Sequence, residues 1–231
     1  MKKLSIIIPA YNEKSTIETL INKVKVANVG SIEKEIIVVD DGSKDGTRDI
    51  LKAIPGIKYV FHERNLGKGG ALRTGFKEAS GDAILIQDAD LEYDPEEYKE
   101  LLAPIISGQA DVVYGSRFVG SKPHRVLLFY HYFGNKLITV FSNLLTNLNL
   151  SDIETCYKAF TKEAMARMLP KLTSNKFGIE VELTARIAKE RFRIYEIGIS
   201  YYGRTYEEGK KIGWKDGVAA LWHIIKFNVF S

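Results

Sequence analysis

The stretch Glu35-Ile36-Ile37-Val38-Val39-Asp40-Asp41-Gly42-Ser43-Lys44-Asp45-Gly46-Thr47 decides the fold. Four β-branched residues in a row read as a buried strand, and two adjacent acids close it. Glycine and serine then turn the chain, and Thr47 opens a helical pattern that runs to Ala53. Working outward, the same order of apolar run, polar turn and helix recurs. Leu4–Ile8, Ile57–Phe61 and Ala83–Ile86 are short apolar runs of strand length, and Val112–Tyr114 is a further one. Between them, Ile17, Leu20, Ile21 and Val24 form one apolar helix face behind Ser15-Thr16-Ile17-Glu18, which reads as a capping box. Gly69–Ala79 is a further helix, and Asp94 followed by Pro95 opens another that runs to about Ser107. Strands alternating with helices at this spacing predict an α/β fold with a mostly parallel central sheet.

The second half has a different texture. Arg125 to Leu148 is long and apolar but interrupted by His131, Asn135, Lys136 and Asn143. Helices over Lys162–Leu169 and Gly178–Lys189 and a strand over Phe192–Tyr201 follow. The tail from Trp214 to Phe230 spaces Trp214, Val218, Leu221, Trp222 and Ile225 as an amphipathic helix. No repeat, low-complexity tract or linker interrupts the 231 residues, so one domain over 1–231 is expected. Hydrophobic residues make up 45% and charged residues 27%, ordinary for a folded chain. The formal net charge of +4 decides nothing alone, and acids too evenly interspersed to leave a basic stripe argue against nucleic-acid binding. A single cysteine, Cys156, cannot form an internal disulfide and fits a reducing, cytoplasmic setting. Met1-Lys2-Lys3 and the apolar run behind it resemble a signal peptide, but Pro9 cuts the run and Asn12, Glu13 and Lys14 follow it. No apolar run reaches the length of a membrane span.

Four turns carry chemistry. Gln87-Asp88-Ala89-Asp90 places two carboxylates, separated by a small residue, directly after a strand. Such a pair suits Mg²⁺ or Mn²⁺, which complete their shells with substrate phosphate oxygens. Open parallel sheets bind ligands beyond the carboxyl ends of their strands. Asp40-Asp41 supplies more acid than a turn requires, and a carboxylate there can accept hydrogen bonds from a nucleobase. Pro9-Ala10-Tyr11-Asn12-Glu13 sets an aromatic ring beside a carboxylate. Asn65-Leu66-Gly67-Lys68-Gly69-Gly70 and Arg73 combine exposed backbone N–H groups at a helix start with positive charge, a pattern for phosphate. His131 and Asn135, four apart on a helix, make a poor metal pair, and nothing near Cys156 argues for a nucleophile.

Taken together and in this order, the blocks Ile-Ile-Pro-Ala-Tyr-Asn-Glu (7–13), Val-Val-Asp-Asp-Gly-Ser-Lys-Asp-Gly-Thr (38–47), Asn-Leu-Gly-Lys-Gly (65–69), Asp-Ala-Asp (88–90) and Gly-Ser-Arg (115–117) resemble the family 2 glycosyltransferases. The resemblance implies a GT-A (Rossmann-like nucleotide-binding) fold, with a nucleotide-sugar and metal half over 1–118. An acceptor half over 119–231 would be largely helical. Asn65–Ala71 with Gly75, Gly115–Phe118, and Tyr202–Lys210 look most like the branch that makes polyprenyl-phosphate hexoses, such as dolichyl-phosphate mannose and glucose synthases. By matching position, Pro9, Ala10, Tyr11, Glu13, Val39 and Asp41 would hold the nucleoside. Asp88, Ala89 and Asp90 would form the metal turn, with Glu92, where the branch often has Gln, as a further ligand. Lys68, Arg73, Arg117, Arg204 and Lys210 would meet phosphates. Asp90, Arg117 and Arg204 are the residues expected to act in catalysis.

The implied reaction is inverting transfer of a hexose from UDP-glucose or GDP-mannose to a polyprenyl or dolichyl phosphate. A phosphate acceptor is already anionic and needs no general base, whereas a sugar or protein hydroxyl would need one. Asp152, Glu154, Glu180 and Glu182 are the candidates for that rival reading, and a non-catalytic nucleotide-sugar sensor is a further rival. A lipid acceptor implies a peripheral enzyme on the cytoplasmic face of the membrane. The aromatic stretch Leu127–Phe141 and the tail from Trp214 would be its contacts, with a membrane-protein anchor or a homo-oligomer as possible support. Arg125 would help to offset repulsion between the two anionic substrates.

Overall fold

The computed structural model describes residues 1–126, 128–205, 207–208 and 214–230. Five strands match the apolar runs of the first half: β1 (Lys3–Ala10), β2 (Glu33–Asp40), β3 (Lys58–Phe61), β4 (Ala83–Ile86) and β5 (Val112–Ser116). Helices α1 (Ile17–Val26), α2 (Thr47–Ala53), α3 (Lys68–Glu78) and α4 (Tyr98–Ile106) alternate with them. Helix α5 (Phe129–Thr146), β6 (Lys158–Thr161), α6 (Lys162–Met168), α7 (Gly178–Lys189), β7 (Ile194–Gly198) and α8 (Trp214–Val229) complete the described chain.

All seven strands form one sheet in the order β3-β2-β1-β4-β6-β5-β7. β1 pairs parallel with β2 and β4, and β2 with β3. β6 lies antiparallel between β4 and β5, and β7 runs parallel to β5. Six strands therefore point one way, and their carboxyl ends share one edge. The strand alternation predicted this, but not β6. Lys158-Ala159-Phe160-Thr161 carries no long apolar run, and its lysine is fully buried, which sequence patterning reads as polar surface.

The core follows the strand pattern, with Leu4, Ile6, Ile7, Ile8, Ile37, Val38, Leu85 and Ile86 fully buried. The face predicted for α1 is the buried one: Ile17, Leu20, Ile21 and Val24. Its capping box does not form. Thr16 occupies the N-cap, and its hydroxyl donates to the Glu13 carboxylate at 2.8 Å instead of accepting from the helix. Asp94 does cap, accepting from the Glu96 N–H, but a single 3₁₀ turn over Pro95–Glu97 precedes α4. The strand expected over Phe192–Tyr201 shrinks to Ile194–Gly198, after which Tyr201 forms a parallel bridge to His124.

Candidate active site

Loops beyond β1, β2 and β4 and the end of β5 gather at the carboxyl edge, joined there by segments 152–158 and 199–205. Behind the acidic turn, Gln87 is fully buried, and its side-chain carbonyl accepts from the Tyr98 and Tyr157 hydroxyls, both at 2.7 Å. This fixes the turn from below. Ala89 is buried between the two acids, a place with room for a small side chain.

Each aspartate faces a cation. Lys68, the first residue of α3, places Nζ 2.8 Å from the Asp88 carboxylate and 3.0 Å from Glu180 on α7. Burial opposes the Lys68 ammonium, yet Asp88 and Glu180 hold its pKa well above the usual lysine value. Asp90 meets the Arg204 guanidinium at 3.0 Å. Burial, with Asp88 and Glu92 close by, pushes the Asp90 carboxyl up to about 7, against the pull of Arg204. Glu92 accepts from the Tyr201 hydroxyl at 2.7 Å and from the Arg204 Nε and backbone N–H at 3.2 and 3.0 Å. The segment carrying Arg204 is thus tied to the acidic turn. Arg125 supports it from the other side, donating to the Gly203 carbonyl at 3.0 Å and pairing with Glu208.

The donor chemistry suits a divalent metal. Asp88 and Asp90 supply hard oxygen ligands, and burial together with nearby acids disfavours the Asp90 charge, a cost that a bound cation would relieve. Glu92 lies close to Asp90, with its two oxygens engaged by Tyr201 and Arg204. Among the described residues, no three His, Cys, Asp or Glu side chains converge in a metal-binding group.

Arg117, at the end of β5, grips Asp152 in a two-pronged pair at 2.7 and 2.8 Å. Its guanidinium lies over the Tyr201 and Phe118 rings, 5.2 and 5.5 Å from their centroids. A second buried pair joins Lys158 to Glu180 at 2.5 Å, so Glu180 bridges Lys158 and Lys68. Patterning offered Glu180 only as a candidate base and gave Lys158 no part. Their readable signal is two acids, Glu180 and Glu182, set among apolar residues in the first turns of a helix, and those turns are wholly buried.

Several residues expected to touch substrate are engaged by the protein itself. Asp41 accepts from the Leu66 and Gly67 N–H groups at 2.9 and 2.7 Å, and His62 Nδ1 lies 2.7 Å from it. It therefore holds the glycine-rich loop in place. That loop is glycine-rich for a steric reason: a Cβ at Gly67 or Gly69 would lie 2.4 Å from the Asn175 or Ser174 carbonyl oxygen. Gly70 gives its N–H to Asn175 O at 2.9 Å, which takes that donor away from any phosphate. Arg73 leaves the acidic turn altogether, donating to Leu172 O at 3.1 Å and the Asn175 side chain at 2.6 Å. Val39 is fully buried, with its side chain beneath α3 near Gly75. The loop after β1 does sit at the edge: Asn12 N–H donates to Ser43 and Glu13 N–H to Thr47, zipping it to the loop after β2. Pro9 and Ala10 end β1 beneath this loop, Glu13 is buried, and Tyr11 is exposed. Lys210 lies outside the described residues.

A family model described as glycosyl transferase family 2 matches residues 5–169, from β1 through α6. The chain belongs to that family. It is a glycosyltransferase similar to enzymes of the polyprenyl-phosphate branch. It is 29% identical over 217 residues to the UDP-N-acetylglucosamine–dolichyl-phosphate N-acetylglucosaminyltransferase of Methanococcus voltae, covering 86% of this chain and 85% of that one. Over 120 residues it is 38% identical to the dolichol-phosphate mannosyltransferase of Pyrococcus furiosus, covering 51% of this chain and 34% of that one. Glucosyl-3-phosphoglycerate synthase from Mycobacterium tuberculosis, solved with Mn²⁺, UDP and glucosyl-3-phosphoglycerate, shares the fold. The TM-score is 0.74 at 21% identity, covering 98% of this glycosyltransferase and 78% of that chain. The fold is thus GT-A.

Proposed function

We propose that this glycosyltransferase moves a hexose or N-acetylhexosamine, with inversion, from a nucleotide diphosphate-sugar to a polyprenyl phosphate. The carrying observation is the pairing at the carboxyl edge: two acids that suit a metal, each facing a cation able to turn toward phosphate. Asp88 and Asp90 would hold Mg²⁺ or Mn²⁺, which would offset the charge that develops on the departing diphosphate. Lys68 and Arg204 supply further positive charge beside them. Arg117, held rigid by Asp152 and Tyr201, presents positive charge on the acceptor side. Pro9, Ala10, Tyr11, Glu13, Val39 and Asp41 shape the nucleoside end, with Asp41 acting through the loop that it fixes. Glu92 and Arg73 serve as anchors of this frame.

The state of the acids supports a phosphate acceptor. Asp152 is committed to Arg117, Glu180 to Lys68 and Lys158, and Glu182 to the Thr173 and Ser174 N–H groups. Three of the four candidate bases are therefore occupied, which suits an acceptor that brings its own charge. Glu154 is the exception, and it keeps open the second reading, a hydroxyl acceptor. The relatives named for dolichyl phosphate weigh on the side of lipid.

A lipid acceptor also gives the outer face of α5 a purpose. Phe129, Tyr130, Phe133 and Leu144 are exposed, and α5 carries no acid. No described helix is long and apolar enough to cross a membrane. The reading is peripheral contact with the cytoplasmic face through α5 and α8, with a membrane-protein anchor or a second copy as added support.

The test is a panel of radiolabelled UDP-glucose, UDP-N-acetylglucosamine and GDP-mannose with Mg²⁺ or Mn²⁺ and a short polyprenyl phosphate. Label entering the organic phase with one donor, and abolished by EDTA, is the expected result. Donor consumption without lipid product overturns the acceptor assignment.

A further inference from the structure

Segment 152–157 runs between the two ion-pair networks of the site, and its neighbours pin it. Asp152 is gripped by Arg117, and its N–H lies 3.3 Å from Glu196. The Ile153 and Thr155 carbonyls both accept from Lys158 Nζ. The Cys156 N–H donates to the Tyr93 hydroxyl at 3.1 Å. Asp152, Ile153, Thr155 and Cys156 are fully buried or nearly so, whereas Glu154 is only half-buried. One of its oxygens, Oε1, is nevertheless shut off from solvent with no hydrogen-bond partner, and the Thr155 hydroxyl beside it in sequence is in the same condition. Glu154 feels the charges of Glu180, Lys158, Arg117 and Asp152. In the chain it lies two residues after Asp152, which holds Arg117, and four before Lys158, which pairs with Glu180 and through it with Lys68 and Asp88. Burial first, then Glu180, pushes its carboxyl up to about 7.

Most buried polar atoms in proteins have hydrogen-bond partners, so one without a protein partner beside a binding site is free to bond a group that enters it. With the donor diphosphate at Asp88 and Asp90, the sugar attached to it extends toward the acceptor half, where Glu154 stands. We propose that Glu154 is a specificity-determining residue whose carboxyl holds a ring hydroxyl of the transferred sugar. The inference rests on the proposed donor site at Asp88 and Asp90, and it does not depend on the acceptor. Substrate hydroxyls suit this group because a carboxyl near neutrality can accept or donate. A site built around such a bond rejects analogues that lack the hydroxyl.

The experiment is titration calorimetry with Mn²⁺ on wild type, Glu154→Gln and Glu154→Leu. The probes are UDP, UDP-glucose, UDP-N-acetylglucosamine, GDP and GDP-mannose. Glu154→Leu is expected to weaken binding of the preferred nucleotide-sugar about tenfold while leaving the bare nucleotide within about twofold. Glu154→Gln, which keeps an accepting oxygen, should stay near wild type. Monodeoxy versions of the preferred sugar provide an arm that needs no altered protein. One of them should lose about tenfold against wild type and nothing further against Glu154→Leu. Equal weakening of nucleotide and nucleotide-sugar, or none, overturns the inference. So does a Glu154→Gln protein that binds donor normally but has lost turnover together with the basic group from its pH–rate profile, since that outcome makes Glu154 a proton acceptor. If wild type shows the expected binding pattern yet makes no lipid product, the sugar contact stands and the lipid-phosphate reading falls.

Discussion

The carboxyl edge of the sheet and the outer face of α5 are opposites. At the edge, Asp88, Asp90 and Glu92 are drawn against Lys68, Arg204 and Tyr201 within 3.2 Å, out of bulk water. On α5, Phe129 is 70% exposed and Tyr130 84%, with no acid along the helix. One region concentrates charge where charge is costly, and the other presents apolar surface where water is plentiful. Neither arrangement serves folding by itself, since buried ion pairs contribute little net stability and exposed rings contribute none. Both make sense if the partners arrive from outside: a charged diphosphate for one, an apolar phase for the other.

The strongest way to break the comparison is at Asp90. Asp90→Asn keeps the shape of the turn but removes the charge meant for a metal, and turnover should fall about a thousandfold. Thermal unfolding should be nearly unchanged or improved, because Asp90 is charged there only at a cost. Initial rates and melting curves on one preparation check both halves. A variant that loses stability along with activity would mean that the edge is a structural ion-pair cluster.

Arg117 tests the same edge just beyond the end of β5. Arg117→Met leaves Asp152 fully buried without its two-pronged partner, and unfolding stability should drop by about 3 kcal/mol. Adding Asp152→Leu should restore a large part of the loss, as denaturant titrations would show. Activity should not return with it, since the positive charge is still missing.

The edge was legible in the sequence wherever its signal was local. Asp88 and Asp90 follow a four-residue apolar strand, and Asp40 and Asp41 close another, longer strand, so chain order alone put them at strand ends. What each acid does was less legible, because its partner is distant in sequence. Asp41 holds a loop some 25 residues on, Arg117 meets Asp152, and Arg73 turns to Asn175 about 100 residues away. Glycines at 67, 69 and 70 read as a phosphate cradle, since the segment that packs on them lies far along the chain. The backbone of Ser174 and Asn175 shows that Gly67 and Gly69 give clearance to that segment. β6 escaped because a buried lysine opens it, paired with a glutamate on a helix that begins 20 residues later.

A smaller effect separates charge at the edge by pH. Glu154 has its carboxyl raised to about 7 by burial and Glu180, so the folded state binds a proton more tightly than the unfolded chain. Between the ordinary glutamate range and about pH 7, its contribution to stability is therefore lost as pH rises. Glu154→Gln, which cannot ionise, escapes that loss. Its melting temperature relative to wild type should climb from pH 5 to pH 8 by several degrees, corresponding to about 2 kcal/mol. A flat difference across that range would mean that Glu154 titrates like a solvated acid.

The smallest effect belongs to the exposed face, and it tests the comparison from the apolar side. Phe129 and Phe133 stack one helical turn apart, 6.3 Å between centroids, and both face outward. Replacing both with Ser removes little that the folded protein uses, so the melting temperature should hold within about a degree. On vesicles, each ring that enters the headgroup boundary gains only part of its full transfer free energy, so the pair should be worth about tenfold in partitioning. Cosedimentation with anionic and with zwitterionic vesicles reads this directly. Equal loss on both would assign the contact to the rings, and loss on anionic vesicles alone would shift it to Lys136. If binding is untouched while the double variant changes the oligomeric state seen by light scattering, the face belongs to a second copy of the chain. The contrast between the two regions would then reflect assembly, and access to a lipid acceptor would have to come from elsewhere in the acceptor half.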